Sequence, residues 1–287
     1  MTRYIVEVTS DPKQFKETAF EFLMRDPVRH TLILSIVQDR AAGLVVDPAP
    51  SFFAVVRADA QIVGAMMRTP GRRIVLGQMP FAAIELAAAT LAPLTPDAPG
   101  VYGDPEAAAE FARAWAALRG NDFRATVGFH LYLLGTLQPA YAPGQPRQGT
   151  ADDLDLCLRW TQEFATETAE PPMAATDVAA RIRAGRWWLW EDNDNPVCLA
   201  GHSATLFGIT RIGPVYTPPS ARRHGYASAL TSHLSDRIRT EGSRPCLTAD
   251  MANPTSNKIY RALGYELVGD YLNYDFTQRD EVPRALR

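Results

Sequence analysis

Apolar residues in "FKETAFEFLMRDPVRHTLILSIVQDR", from Phe15, recur at helical spacing on both sides of Pro27, which predicts one or two helices interrupted there. The period then shortens to that of strands. "SFFAVVRADAQIVGAMMRTPGRRIVLGQM" reads as two or three strands turned at Ala58 to Gln61 and Thr69 to Arg72. "AIELAAATLA" returns to helix, "PGVYGD" to strand, "PEAAAEFARAWAALRG" to a helix opening at Pro105 and closing at Gly120, and "FRATVGFHLYLLGTL" to strand. Three prolines and two glycines then break the pattern between Leu137 and Asp153. Beyond the break, Asp152 to Thr168 and Asp177 to Ala184 read as helices, and "RWWLWEDNDNPVCLAGHSAT" as a hairpin turned at Asn193 to Asn195. A strand "GITRIGPVYT", a helix closed by Gly242, a strand "PCLTADM", a helix closed by Gly264 and a strand "YELVGDYLNYDF" follow. One order of elements thus occurs twice. It predicts a duplicated α/β fold of mixed sheets flanked by helices, with domains at 1–137 and 151–287 and a linker at 138–150.

A chain of 287 residues with 46% hydrophobic content has enough material for two cores. Its 29 basic and 32 acidic residues leave a net charge of -3, which excludes the general basic footprint of a nucleic-acid binder. Cys157, Cys198 and Cys246 lie far apart, so they read as buried thiols rather than disulfides or a zinc site. No apolar run approaches membrane-spanning length and the first residues carry no apolar signal core, so the expectation is a cytoplasmic protein.

Against that mildly acidic balance, "YTPPSARRHGYASAL" gathers Arg222, Arg223 and His224 where a strand ends and a helix begins. Cations are disfavoured at that end of the helix dipole unless an anion is present. Peptide N–H groups there lack intrahelical partners, Gly225 allows close approach to the backbone, and Ala227 does much the same. A pyrophosphate is the guest this loop suits.

The stretch Arg222-Arg223-His224-Gly225-Tyr226-Ala227 resembles the Q/R-x-x-G-x-G/A signature of the GNAT superfamily of acyl-CoA-dependent N-acyltransferases. "NPTSNKIYRALGYE", Asn253 to Glu266, is similar to that family's second signature. The resemblance covers most of Gly208 to Phe276 and implies acetyl-CoA as acyl donor. By that resemblance Val215, Tyr216 and Thr217 pair with the pantetheine arm as an added strand, and the amides from Arg223 to Ala227 hold the pyrophosphate. Arg222 and Arg223 add charge there, with His224 a minor contact. Asn257 reaches the pantetheine, and Tyr260 stands near the thioester sulfur as general acid. Asp250, at the end of its strand, borders the cofactor cleft and either relays the amine proton or fixes the loop. Pro214 departs from the family pattern and leaves the strand register open.

The first half, where a loop should follow "RRIVLGQM", has "PFAAIELAAATLAP", with neither glycine nor arginine. It reads as a degenerate GNAT-like domain that has kept the fold and lost the cofactor site. Trp188 and Trp190 are placed on one sheet face and Trp187 on the other, mostly as core. His202 is a weak candidate for the acceptor cleft; His30 and His130 receive no chemistry, and Cys246 is expected to pack. The resulting expectation is a tandem-domain N-acetyltransferase, monomer or homodimer, acting on a small-molecule or peptide amine in a ternary complex without metal, nucleic acid or membrane. Rival readings are a non-catalytic acyl-CoA-binding regulatory module, against which Tyr260 argues, and a tandem transferase of another acyl group.

Overall fold

The structure, a computed structural model, describes residues 2–278. The first run of elements is β1 (Tyr4–Thr9), α1 (Pro12–Leu23), α2 (Thr31–Ala41), β2 (Phe52–Ala58), β3 (Gln61–Arg68), β4 (Ile74–Leu76), α3 (Ile84–Leu91), β5 (Gly100–Gly103), α4 (Pro105–Arg119) and β6 (Asp122–Leu134). The second is β7 (Gln145–Gln148), α5 (Leu154–Thr168), α6 (Ala175–Arg183), β8 (Trp187–Asp192), β9 (Asn195–His202), β10 (Ile209–Tyr216), α7 (Tyr226–Thr240), β11 (Arg244–Asp250), α8 (Pro254–Ala262) and β12 (Tyr265–Thr277). Apart from short 3-10 turns, the two runs repeat one order, as the sequence pattern predicts.

The chain forms two compact units that do not follow its two halves. The first unit comprises the described parts of Met1–Phe15, Asp47–Gly128 and Asp270–Arg287; the second comprises Lys16–Val46 and Phe129–Gly269. Strand order is β1-β2-β3-β4-β5-β12 in the first and β6-β11-β10-β9-β8-β7 in the second. Each unit has one parallel pair, β4 with β5 and β10 with β11, joined by a helical crossover, while the remaining paired strands with a recorded register are antiparallel. The sixth strand of each sheet comes from the other half of the sequence. Leu272 pairs with Gly103 on β5, and Leu133 pairs with Cys246 on β11.

In the first unit, α3 and α4 cover a core that includes Met66, Ile74, Ile84, Val101, Phe111 and Trp115. Asp104 caps α4 by accepting from the Glu106 N–H at 3.2 Å, Pro105 occupies its first turn and Gly120 ends it at φ 70°. Trp115 stacks on Phe276 of β12 with centroids 4.9 Å apart, which fastens the borrowed strand to this core.

The second unit has three layers. One sheet face packs Trp188, Trp190, Cys198 and Ile212 against Tyr226, Leu230 and Leu234 of α7. On the opposite face Trp187, Leu189, Leu199 and Tyr216 pack against Cys157 and Trp160 of α5 and Val178 and Ile182 of α6. The tryptophan alternation read from sequence is therefore present, and all three rings are buried. Helix α2 belongs to this unit as well. It packs against β10, and Cys246 of β11 contacts Thr31 at 3.8 Å.

The Pro/Gly-rich stretch lies within the second unit and is tied to it. Gln138 N donates to Leu263 O at 3.0 Å, Ala140 N to Ser232 Oγ at 3.1 Å, and Trp190 Nε1 to Pro143 O at 2.7 Å. Strand β7 follows and pairs with β8. Arg147 on β7 grips buried Asp153 through both oxygens, at 2.6 and 2.8 Å, and Thr150 completes a capping box. The Arg147 hydrogen bond, above all, lowers the Asp153 carboxyl to about 2. Because the folded value lies below the unfolded one, this stability is present above about pH 4 and is lost as the pH falls towards about 2. Asp153→Asn should cost roughly 2 kcal/mol in urea unfolding at neutral pH, with the gap from wild type closing over that acid window. Equal stability at neutral pH would contradict this account.

Candidate functional site

The site begins where two parallel strands separate. Ile209, Thr210 and Arg211 pair with Arg244, Pro245 and Cys246, and the β10–β11 pairing stops there. Strand β11 continues to Asp250 along β6, while β10 continues to Tyr216 along β9. A register shift between Ile212 and Val215 and a cis Gly213–Pro214 peptide mark the parting. Among the described residues, the facing edges of both strands beyond Arg211 thus have no strand partner, the condition under which an extended chain can add itself to a sheet edge. Pro214, the departure noted in the sequence, falls in the bulge itself.

Beyond β10, a 3-10 turn at Pro219–Ala221 leads into a loop with Arg223 at φ 69° and Gly225 at φ 87°. Helix α7 follows directly, with Gly225 as N-cap and no side-chain cap. The first peptide N–H groups of the helix, at Tyr226 and Ala227, therefore have no intrahelical partner, and left-handed residues before them shape the loop into a concavity suited to an anion. A Cβ on Gly225 would meet nothing nearer than 3.7 Å. Glycine is required there by its backbone conformation rather than by crowding.

The side chains around this loop divide the work. Arg223 and His224 are exposed, and His224 stacks on Tyr226 with centroids 5.5 Å apart. Tyr226 donates to Asp192 at 2.5 Å, and that hydrogen bond, first, raises its phenol. Arg222 holds both oxygens of Glu167 at 2.6 and 2.8 Å and donates from Nε to Thr217 O at 2.9 Å. Tyr216 points to the other side of the sheet and donates to Glu163 at 2.9 Å; burial first, then Glu163, raises its phenol. Arg222 therefore acts here as a brace between the loop and α5, a role its sequence position does not disclose.

Helix α8 closes the other side of the gap. Asn253 caps it by accepting from Ser256 N at 3.0 Å, and Pro254 occupies its first turn. Asn257 is buried and spends its amide internally: Nδ2 donates to the Asp250 and Asn253 carbonyls at 2.8 Å each, and Oδ1 accepts from Tyr132 at 2.9 Å. Asp250 accepts from Ala252 N at 2.8 Å, which fixes the turn after β11. These two residues hold the end of β11 to α8. Tyr260, one turn beyond Asn257, is buried among Tyr132 and Tyr265, with centroids 6.4 and 6.1 Å away. Burial first and Cys198 second raise its phenol above the usual tyrosine value. Cys198 itself contacts Thr217 Oγ1 at 3.2 Å.

The matching place in the first unit is built differently. Helix α3 starts after a 3-10 turn at Phe81–Ala83, with Glu85 and no basic residue in its first turn. A Cβ on Gly103 would lie 3.0 Å from the Leu76 side chain, so β4 and β5 remain in contact at the end of β4.

Other residues fall into place around this frame. His202 pairs with Ile212 and feels Arg237 and Glu241, at the far end of α7 from Gly225; burial lowers its pKa. A 15-residue helix is about 22 Å long, which sets His202 well away from the loop. His130 pairs with Ala249, next to the Asp250–Phe129 pair, so it belongs to the second unit and not to a half without a site. Cys246 and Cys198 are buried thiols pushed up to about 11 and about 12 by burial. The involvement of α2 was missed, although Ser35 and Asp39, four residues apart in the apolar run "TLILSIVQDR", form a polar stripe that signalled a buried polar contact.

Residues 195–273 match the family model of FR47-like proteins. No curated protein matches the chain. Among solved structures, a Drosophila protein aligns with a TM-score of 0.68 at 14% identity over 96% of this chain and 99% of its own. A GCN5-related N-acetyltransferase from Sphaerobacter thermophilus aligns with a TM-score of 0.60 at 17% identity over 96% of each chain. A tandem GNAT protein from the clavulanic acid biosynthesis pathway aligns with a TM-score of 0.57 at 13% identity over 96% of this chain and 98% of its own. The chain has the GNAT acetyltransferase fold in tandem arrangement. The stretch similar to FR47-like proteins lies within its C-terminal half. Among the described residues no helix is long and apolar enough to cross a membrane.

Proposed function

We propose that the protein is an N-acetyltransferase that moves an acetyl group from acetyl-CoA to a primary amine. The observation that carries this reading is the parting of β10 from β11 after Arg211, directly before a loop of unpartnered helix-start amides. Acetyl-CoA supplies an activated thioester. The free edge of β10 from Val215 to Thr217 would hold its extended arm, and the amides of Arg223 to Ala227, with Arg223 beside them, its pyrophosphate. Asn257 and Asp250 are positioning residues that keep the end of β11 and α8 in register. In this reading the Gly213 and Val215 amides at the bulge would polarise the thioester carbonyl, Pro214 having none, and the Tyr260 hydroxyl would donate to the departing sulfur. Within one ternary complex the amine, its ammonium proton passed to a water relay, attacks the thioester carbon to form the C–N bond; the nitrogen gives its next proton to water, the C–S bond breaks, and the leaving thiolate takes the Tyr260 proton, which water restores.

In the first unit the start of α3 carries Glu85 and no basic residue, and Gly103 of β5 stays against Leu76 of β4, which supports a single donor site per chain. Release of free thiol from acetyl-CoA, measured across a panel of small amines, amino acids, aminoglycosides and peptides, tests this function. Amine-dependent release is expected; release that no amine accelerates would refute the transferase assignment.

A further inference from the structure

The segment that leads from β6 to β7 passes beside the donor loop. A Cβ built on Gly225 would lie 3.7 Å from the Tyr141 carbonyl oxygen and 3.7 Å from the Ala142 methyl group. Three hydrogen bonds hold the segment in that position: Gln138 N to Leu263 O, Ala140 N to Ser232 Oγ of α7, and Trp190 Nε1 to Pro143 O. Pro139 and Pro143 fix two of its φ angles. Side chains alternate along it. Ala140 packs against the core around Tyr132, Tyr260 and Leu263, and Ala142 against the core around Trp190, Tyr226 and Ala229. Tyr141, between the two, faces outward and is 87% exposed, the most exposed large apolar residue among those described. An aromatic ring held in the open by a pinned backbone forgoes the free energy that its burial would bring. The other rings at the loop are engaged, for His224 stacks on Tyr226 and the Tyr226 hydroxyl donates to Asp192. Tyr141 alone offers the loop both faces of a ring.

We infer that Tyr141 is the platform on which the adenine of acetyl-CoA stacks. This rests on the donor site proposed above and adds to it the residue that holds the nucleotide base. The direction follows from the covalent structure of the donor. Its pyrophosphate joins the pantetheine arm at one end and the adenosine at the other, so with the arm running along β10 into the gap, the adenosine leaves the loop outward. There it meets the surface on which Tyr141 stands. A flat ring suits this task, since every base has a π-face and stacking needs no hydrogen-bond register. Tyrosine has few side-chain torsions, and its backbone here is already fixed by hydrogen bonds and prolines, so little freedom is lost when the base arrives. Arg223, exposed on the neighbouring loop, supplies charge for the phosphates. Tyr141 in this way holds the part of acetyl-CoA that a bare phosphopantetheine arm lacks, and it selects the CoA thioester over shorter donors.

Calorimetric titration of the full chain with acetyl-CoA tests the stack, paired with acetyl-phosphopantetheine, which keeps the thioester arm and a phosphate but has no adenosine. Affinity for the shorter donor is read by competition against acetyl-CoA. Tyr141→Ala is expected to weaken acetyl-CoA about 10-fold, the scale of one aromatic–base stack, and to leave acetyl-phosphopantetheine unchanged. Tyr141→Phe should bind acetyl-CoA like wild type and Tyr141→Leu like the alanine variant, because the stack uses the ring and neither the hydroxyl nor apolar bulk alone. The side chain is exposed, so all three variants should keep the wild-type midpoint in urea. Wild-type affinity for acetyl-CoA in Tyr141→Ala would remove the stack and leave the donor site standing. A loss of equal size for both donors would also overturn the proposal, since it would make Tyr141 a support of the loop. A wild-type chain that binds neither donor would refute the donor site and the stack together.

Discussion

Tyr260→Phe is expected to lower kcat for acetyl transfer by about 10²-fold or more while changing acetyl-CoA affinity little. The substitution keeps the ring that packs against Tyr132 and Tyr265 and removes only the hydroxyl. Burial and Cys198 raise the phenol above its usual value, so it stays protonated throughout the neutral range and is able to donate when the thiolate leaves. A purely structural tyrosine would behave otherwise: losing one hydroxyl would show in stability and leave turnover intact. Rate measurements under conditions where chemistry limits turnover, paired with urea unfolding, separate the two. Unchanged turnover in Tyr260→Phe would remove the proposed acid and leave water as the proton source.

Gly225→Val should weaken acetyl-CoA binding by about 10²-fold, well beyond its effect on folding. At φ 87° a β-branched residue is strained by roughly 1–3 kcal/mol, and the loop relieves that strain by rotating the peptide groups that would face the pyrophosphate. The nearest atoms to a Cβ there are 3.7 Å away, so crowding plays no part. Asparagine tolerates the left-handed region, and Gly225→Asn should therefore retain most of the affinity that valine loses. Isothermal titration with acetyl-CoA measures both variants. Equal loss in the two would point to the missing space, not the backbone angle, and would contradict the loop geometry argued here.

Much of this architecture was legible in the chain because the informative residues act locally. Apolar spacing, Asp104 with Pro105 and Gly120, and the Asn193 turn each specify their own element, and the doubled order of elements follows from them. The loop could be read because Gly225 and the charges beside it stand within six residues. What escaped depends on contacts between distant segments. Nothing near Arg222 in sequence announces Glu167, which occupies its guanidinium, and nothing in "FHLYLL" announces that β6 joins β11 and carries His130 and Tyr132 to the second unit. Asn257 looked like a ligand contact because its neighbours match a signature, whereas its amide is spent on Asp250, Asn253 and Tyr132. Ser35 and Asp39 lie more than 140 residues from the arginines they meet, so a polar stripe in an apolar helix was visible but its partners were not.

The central claim is that one fold occurs twice in the chain and that only the second copy binds the acyl donor, where β10 leaves β11 and Gly225 opens the loop. Calorimetric titration of the full chain with acetyl-CoA tests it most directly, because the number of sites is read without knowledge of the acceptor. A stoichiometry near one per chain, lost in Gly225→Val, is the predicted result. A stoichiometry near two, or one site that survives Gly225→Val unchanged, would contradict it.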